Sequence, residues 1–193
     1  MPVAPGILAF AGSARKDSYN KKLVRIAAEG AREAGAEVTL LDLRDLPMPI
    51  FDEDLEKADG LPDSARKLKQ LLLAHDGLLI SSPEYNSSIT ALLKNAIDWA
   101  SRPSPGEKPL QCFDGKVAAL ISASPGALGG LRGLVTLRMI LGNIRVIVLP
   151  DQLAVARAHE AFNADGSLKD AAQQDAVRKI GAKLAETIRK LKS

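Results

Sequence analysis

Residues 6–13 read Gly-Ile-Leu-Ala-Phe-Ala-Gly-Ser, and residues 14–20 continue Ala-Arg-Lys-Asp-Ser-Tyr-Asn. The first part is a short, near-continuous apolar run bounded by glycine, which predicts a strand buried on both faces. The second part is polar and opens a stripe at helical spacing: Leu23, Ile26, Ala27, Gly30, Ala31 and Ala34. Gly35 closes that stripe where a left-handed cap is wanted. A doubly buried strand running straight into a helix is the start of a parallel sheet with helical crossovers.

The alternation continues along the chain. Glu37–Leu41 predicts a second strand, and Leu46–Leu61, with Pro47, Pro49 and Gly60, a long surface connection. Asp63 or Ser64 is placed to cap a helix carrying Leu68, Leu71 and Leu72. Leu78–Ser82 is a third strand ended by Pro83. Ile89, Leu92, Leu93, Ala96, Ile97 and Ala100 then make one apolar face of an amphipathic helix. Lys116–Ser122 is the fourth strand, followed by a glycine-rich turn and a helix from Leu131 to Leu141. Ile144–Leu149 reads as the fifth, stopped by Pro150, and a last helix carries Val177, Ile180, Leu184, Ile188 and Leu191. With right-handed crossovers this is a doubly wound, three-layer α/β domain.

Composition narrows the function. The 193 residues, 46% hydrophobic and 25% charged, suit one soluble globular domain spanning 1–193. A lone Cys112 and two histidines exclude a disulfide framework and are too few for a soft-ligand metal site. The net charge of +3 gives no reason to expect nucleic acid. The late basic residues Arg178, Lys179, Lys183, Arg189, Lys190 and Lys192 fit a solvated helix face. No apolar run approaches the roughly 20 residues of a membrane span. No charged segment followed by an apolar core marks export, so a cytoplasmic location is expected.

In a doubly wound sheet ligands sit beyond the carboxyl ends of the strands, at the switch point. The loops after strands one, three and four are therefore decisive. The first offers Gly12, Ser13, Arg15, Ser18 and Asn20 at the mouth of a helix: hydroxyls, an amide, one guanidinium and helix-start N–H groups, the set a phosphate dianion requires. It is neither a Walker loop nor the Gly-x-Gly-x-x-Gly turn. The second, Pro83-Glu84-Tyr85-Asn86-Ser87-Ser88, offers an acceptor, a ring and an amide to something planar and polar-edged, although an ordinary turn reads the same way. The third, Ser122–Gly130, includes Ser124, Gly126 and Gly129, where glycine lets backbone approach a ligand.

Together these loops resemble the NADPH-dependent FMN reductase family of flavodoxin-like proteins, which includes bacterial quinone and chromate reductases. The family's Gly-Ser-x-Arg-x-x-Ser-x-Asn is matched by Gly12, Ser13, Arg15, Ser18 and Asn20, and its Pro-Glu-Tyr-Asn by Pro83–Asn86. Its Leu-Lys-Asn-Ala-Ile-Asp-Trp is matched by Leu93–Trp99, and its Gly-Gly before Leu-Arg by Gly129-Gly130 and Leu137-Arg138. Thr90-Ala91 stands where members commonly have Pro-Gly, and Pro125 sits in a turn often free of proline.

The resemblance implies a flavodoxin-like αβα sandwich with strand order 2-1-3-4-5, FMN as cofactor and NADPH or NADH as co-substrate. Ser13, Arg15, Ser18 and Asn20 would hold the phosphate. Glu84, Tyr85 and Asn86 would line the ribityl and ring, and Ser124 and Gly126 the pyrimidine side. No side chain is needed as acid, base or nucleophile, because flavin N5 takes the hydride. Electrons would pass to a small acceptor such as a quinone, free flavin, chromate or an azo compound. A homodimer or homotetramer is implied, with Tyr85, Asn95 and Trp99 near the two-fold, although Trp99 fits a core position equally well. The alternatives are a flavodoxin-like electron carrier, against which pI 9.0 and 4% aromatics argue, or a non-catalytic flavin sensor.

Overall fold

The computed structural model describes residues 4–192. Twelve elements build it: β1 (Gly6–Ala11), α1 (Tyr19–Glu33), β2 (Glu37–Asp42), α2 (Glu53–Asp59), α3 (Asp63–Ala74), β3 (Gly77–Ser81), α4 (Ala91–Ser101), β4 (Val117–Ala123), α5 (Leu131–Asn143), β5 (Ile147–Val155), α6 (Ala158–Ala161) and α7 (Ala171–Lys192). The strands form one parallel sheet in the order β2-β1-β3-β4-β5. The expected flavodoxin-like architecture and strand order are therefore present.

Alternation along β1 divides the core. Ile7, Ala9 and Ala11 face α1 and α7, while Leu8 and Phe10 face the layer built by α3, α4 and α5. On the first side, α1 and α7 cross in backbone contact. A Cβ on Gly30 would lie 2.1 Å from the Arg178 carbonyl oxygen, and one on Gly181 would lie 1.8 Å from that of Ala27. Any side chain at either position forces the helices apart.

Four local expectations need correcting. Pro150 does not stop the last strand, which begins at Ile147, later than expected, and runs on to Val155. β5 is an edge strand, and its register against β4 shifts between Ala118 and Leu120, so proline falls in a bulge where a ladder N–H is not required. Arg138 from α5 braces the bulge, donating to the carbonyls of Val148 (3.3 Å) and Pro150 (3.5 Å) and to Gln152 Oε1 (3.0 Å). Neither Asp63 nor Ser64 caps α3. Pro62 occupies the cap position, and Asp63 pairs with Arg66 instead.

The connection 46–61 is on the surface as expected but contains α2, started by Asp52, whose side chain accepts from the N–H of Asp54 at 2.8 Å. Trp99 is fully buried within the chain. Its Nε1 donates to Pro49 O at 2.8 Å, and its ring meets Phe51 edge-on at 5.0 Å. A residue so enclosed is core and cannot form part of a two-fold contact. Asn95 is also engaged internally, with Pro49 O and the N–H of Phe51, both at 2.8 Å.

Candidate active site

The register sets Ala11 beside Ser81 and Ser81 beside Ile121, so the loops after β1, β3 and β4 emerge together at the switch point between β1 and β3. They enclose a cleft of about 70 Å³ lined by Ser13, Arg15, Ser18, Tyr19, Asn20, Pro83, Glu84, Tyr85, Ser124 and neighbours. That is room for a phosphate group. A ring system would lie on the open surface of the 83–88 and 124–126 segments.

The loop after β1 is held from beneath. Gly12 N–H donates to Ser81 O at 2.9 Å, and Gly12 O accepts from Thr90 Oγ1 at 2.7 Å. The same Thr90 hydroxyl caps α4 by accepting from Leu93 N–H at 3.1 Å. Threonine in place of the family's usual proline thus ties the cap of α4 to the phosphate-side loop. Gly12 itself packs on Leu93: a Cβ there would lie 3.0 Å from Leu93 Cδ2. It shapes the loop and does not face the cleft.

Above that anchor the donors are open. Among the described residues, the N–H groups of Ser13, Ala14, Asp17 and Ser18 make no protein hydrogen bond. Tyr19 and Asn20 begin α1, where N–H groups have no carbonyl partner within the helix. Ser18 is buried at the N-cap, yet its hydroxyl makes no cap bond. Ser13 Oγ accepts from Arg15 N–H at 3.3 Å and keeps its own hydrogen for a ligand. Arg15 is exposed, has no carboxylate partner among the described residues, and lies over the Tyr19 ring at 5.6 Å. Tyr19 stacks in turn on Phe162 at 5.7 Å. These groups fit a phosphate.

Asn20 does something else. Its Nδ2 donates to Ala123 O at 2.8 Å, and its Oδ1 accepts from Ala123 N–H at 2.9 Å and Ser81 Oγ at 2.8 Å. Oδ1 is thus fully used, while the second Nδ2–H makes no hydrogen bond among the described residues, and Asn20 lines the cleft.

The second loop is a tight hairpin. Tyr85 and Ser88 exchange two 3.0 Å backbone bonds around Asn86 (φ 51°) and Ser87 (φ 66°), both left-handed, as a type I′ turn requires. The N–H groups of Glu84, Asn86 and Ser87 make no hydrogen bond among the described residues. Pro83 is buried and Tyr85 is 53% exposed. The Glu84 carboxylate reaches across to α5. There Oε1 accepts from Arg132 Nε at 2.8 Å, and Oε2 accepts from the N–H groups of Arg132 (3.0 Å) and Gly133 (3.2 Å). Burial pushes this carboxyl up, but those bonds outweigh it and hold it below the usual carboxylate range.

In the third loop Ser124 is half-buried and Gly126 exposed. Gly129 is buried against β5, where a Cβ would lie 2.7 Å from the Val155 carbonyl carbon. It packs there and is not among the residues lining the cleft. Neither histidine enters the cleft. His75 sits at the far end of the sheet, its ring nitrogens paired with Leu71 O and Thr39 Oγ1, and His159 is on the surface beside Glu160. Cys112 is buried, and burial pushes its thiol up to about 11, which suits packing and not redox chemistry.

A family profile described as NADPH-dependent FMN reductase matches residues 5–160. The chain belongs to that family. An NAD(P)H-dependent FMN reductase of Pseudomonas aeruginosa is 35% identical over 187 residues, 96% of each chain. An NADPH:quinone oxidoreductase of Arabidopsis thaliana is 33% identical over 179 residues, covering 90% of this chain and 87% of its own. Among solved structures FerB, a flavoenzyme NAD(P)H:(acceptor) oxidoreductase of Paracoccus denitrificans, superposes with a TM-score of 0.79 at 31% identity, covering 97% and 98% of the two chains. This member is an oxidoreductase with FMN as cofactor and NAD(P)H as co-substrate. No helix of the described residues is long and apolar enough to cross a membrane.

Proposed function

We propose that this protein passes reducing equivalents from NAD(P)H to a quinone or similar small acceptor, with donor and acceptor using one exposed face of bound FMN in turn. The observation that carries this reading is the convergence at the switch point of unengaged N–H groups, two hydroxyls and a guanidinium with no carboxylate partner among the described residues, beside an open surface. Ser13, Ser18 and Arg15, with the first N–H groups of α1, hold the phosphate. The amides of Glu84, Asn86 and Ser87 offer donors to the polar edge of the ring. FMN, when bound, supplies the hydride and electron chemistry. The protein's own part is to bind, orient and leave one face open. Quinones are favoured as acceptors by the name of the Arabidopsis relative. Chromate and azo compounds need only the same open face.

The open surface continues onto an apolar stripe. Leu131 (41% exposed), Val135 (62%) and Met139 (67%) follow one another on the outer face of α5. A second copy of the chain covering this stripe would give the homodimer or homotetramer of our reading. Sedimentation at micromolar concentration tests it: a dimer or tetramer is expected, and a monomer contradicts it.

Initial rates test the function. With NADPH and a benzoquinone varied together, use of one face in turn gives parallel double-reciprocal lines and competitive inhibition by excess acceptor. Intersecting lines would show both substrates bound at once.

A further inference from the structure

The two walls of the cleft are joined through one side chain. The N-cap of α5 is Gly130, which is left-handed (φ 96°) and supplies no side-chain cap. The missing acceptor comes from Glu84, far away in sequence, whose carboxylate takes the N–H groups of Arg132 and Gly133 and the Arg132 guanidinium. Its side chain is 7% exposed. Loop and helix are in near-backbone contact here. A Cβ on Gly133 would lie 3.2 Å from Ser88 O and 3.3 Å from Glu84 Cβ. A Cβ on Gly130 would lie 1.9 Å from Ser122 Oγ, whose hydroxyl donates to Ser82 O at 2.7 Å. Gly130 is therefore required for this approach, and a side chain at Gly133 would fit only tightly.

We propose that Glu84 is a positioning residue: by capping α5 it fixes the 83–88 hairpin against the 124–130 turn, so that both walls meet the flavin ring as one rigid frame. The inference rests on the reading of the cleft as the FMN site. A carboxylate suits the position because a helix N-terminus favours negative charge, and Arg132 offsets that charge from the solvent side. The same contacts leave no unpaired negative charge at this edge of the cleft, beside the electron-accepting ring. The hairpin's left-handed residues 86 and 87 hold their N–H groups in place only while the stem at Glu84 is fixed. Glu84 thus acts on the ring through the backbone and not by touching it.

The strut acts on the ring walls and not on the phosphate loop, so its loss should weaken FMN and riboflavin equally. Glu84→Asp keeps the charge but is too short to reach Arg132 N–H, and Glu84→Gln keeps the reach and an acceptor oxygen. Flavin fluorescence titration of Glu84→Ala and Glu84→Asp should show both flavins bound about tenfold or more weakly, the scale of a lost hydrogen bond to a charged group. Glu84→Gln should restore most of the affinity. Amide hydrogen exchange in the first turn of α5 should quicken in the Ala and Asp variants and not in Gln. Should Glu84→Ala fail to fold, the Asp and Gln pair decides. Unchanged affinity in Glu84→Asp, or a loss confined to FMN, overturns the strut. Wild-type protein that binds neither flavin overturns the site reading instead.

Discussion

Asn20 and Ala123 are joined by a pair of hydrogen bonds, side-chain Nδ2 to carbonyl at 2.8 Å and backbone N–H to Oδ1 at 2.9 Å. The amide of a helix residue thereby acts as a short extra strand on the end of β4, and a further bond from Ser81 Oγ fastens it to β3. It fixes where the first turn of α1 stands above the sheet, and so where the helix-start N–H groups point.

Replacing Asn20 by Ala removes three buried bonds at about 1 kcal/mol each and leaves the Ala123 N–H without a partner. We expect a loss of about 2–4 kcal/mol in urea denaturation, with weaker FMN binding in the folded fraction. Asn20→Asp should be at least as damaging, because a carboxylate oxygen would then face the Ala123 carbonyl. Wild-type stability in either variant would show that the pair is incidental.

Thr90 joins a helix cap to the phosphate-side loop through Leu93 N–H and Gly12 O. Thr90→Val keeps the shape and removes both bonds. A loss of about 1–3 kcal/mol in stability is expected from the cap and the orphaned carbonyl together. FMN affinity should fall with it, since Gly12 carries the loop. An unchanged denaturation midpoint would contradict this.

Arg15 carries the phosphate assignment. Arg15→Ala should weaken FMN by about tenfold or more and leave riboflavin unchanged, because riboflavin has no phosphate for a guanidinium to meet. Excess FMN should restore turnover. Equal affinities for FMN in wild type and variant would remove the assignment.

Much of this was legible in the sequence, for physical reasons. Interior parallel strands are apolar on both faces, so β1, β3 and β4 stand out as uninterrupted runs. The loop positions follow from where those runs stop. What escaped depends on contacts between distant residues. Pro150 looks like a terminator until the bulge opposite Ala118–Leu120 and the brace from Arg138 are seen. Asn20 has the chemistry of a phosphate donor, and nothing local says that Ala123 and Ser81 also engage its Oδ1 and one Nδ2–H. Glu84 looks like a free acceptor because its partners Arg132 and Gly133 lie on another element. Trp99 left core and interface open, and the carbonyl of Pro49 decides for core.

Acid should loosen the strut. The Glu84 carboxyl lies below its ordinary value, so the unfolded state binds its proton more readily than the folded one. The stability this confers is complete above about pH 4.3, the usual carboxylate value, and is lost as pH falls through the depressed folded value. Denaturation of wild type and Glu84→Gln across pH 7 to 3 should show a wild-type advantage that shrinks towards acid. An advantage constant over that range would mean that the charge contributes nothing.

The most direct measurement is anaerobic. FMN-loaded protein is mixed with NADPH while the absorbance of oxidised flavin is followed, and a benzoquinone is then added. The yellow colour should bleach with NADPH and return with the quinone, in the absence of any other protein. Bound FMN that keeps its oxidised spectrum under excess NADPH and excess NADH would contradict it.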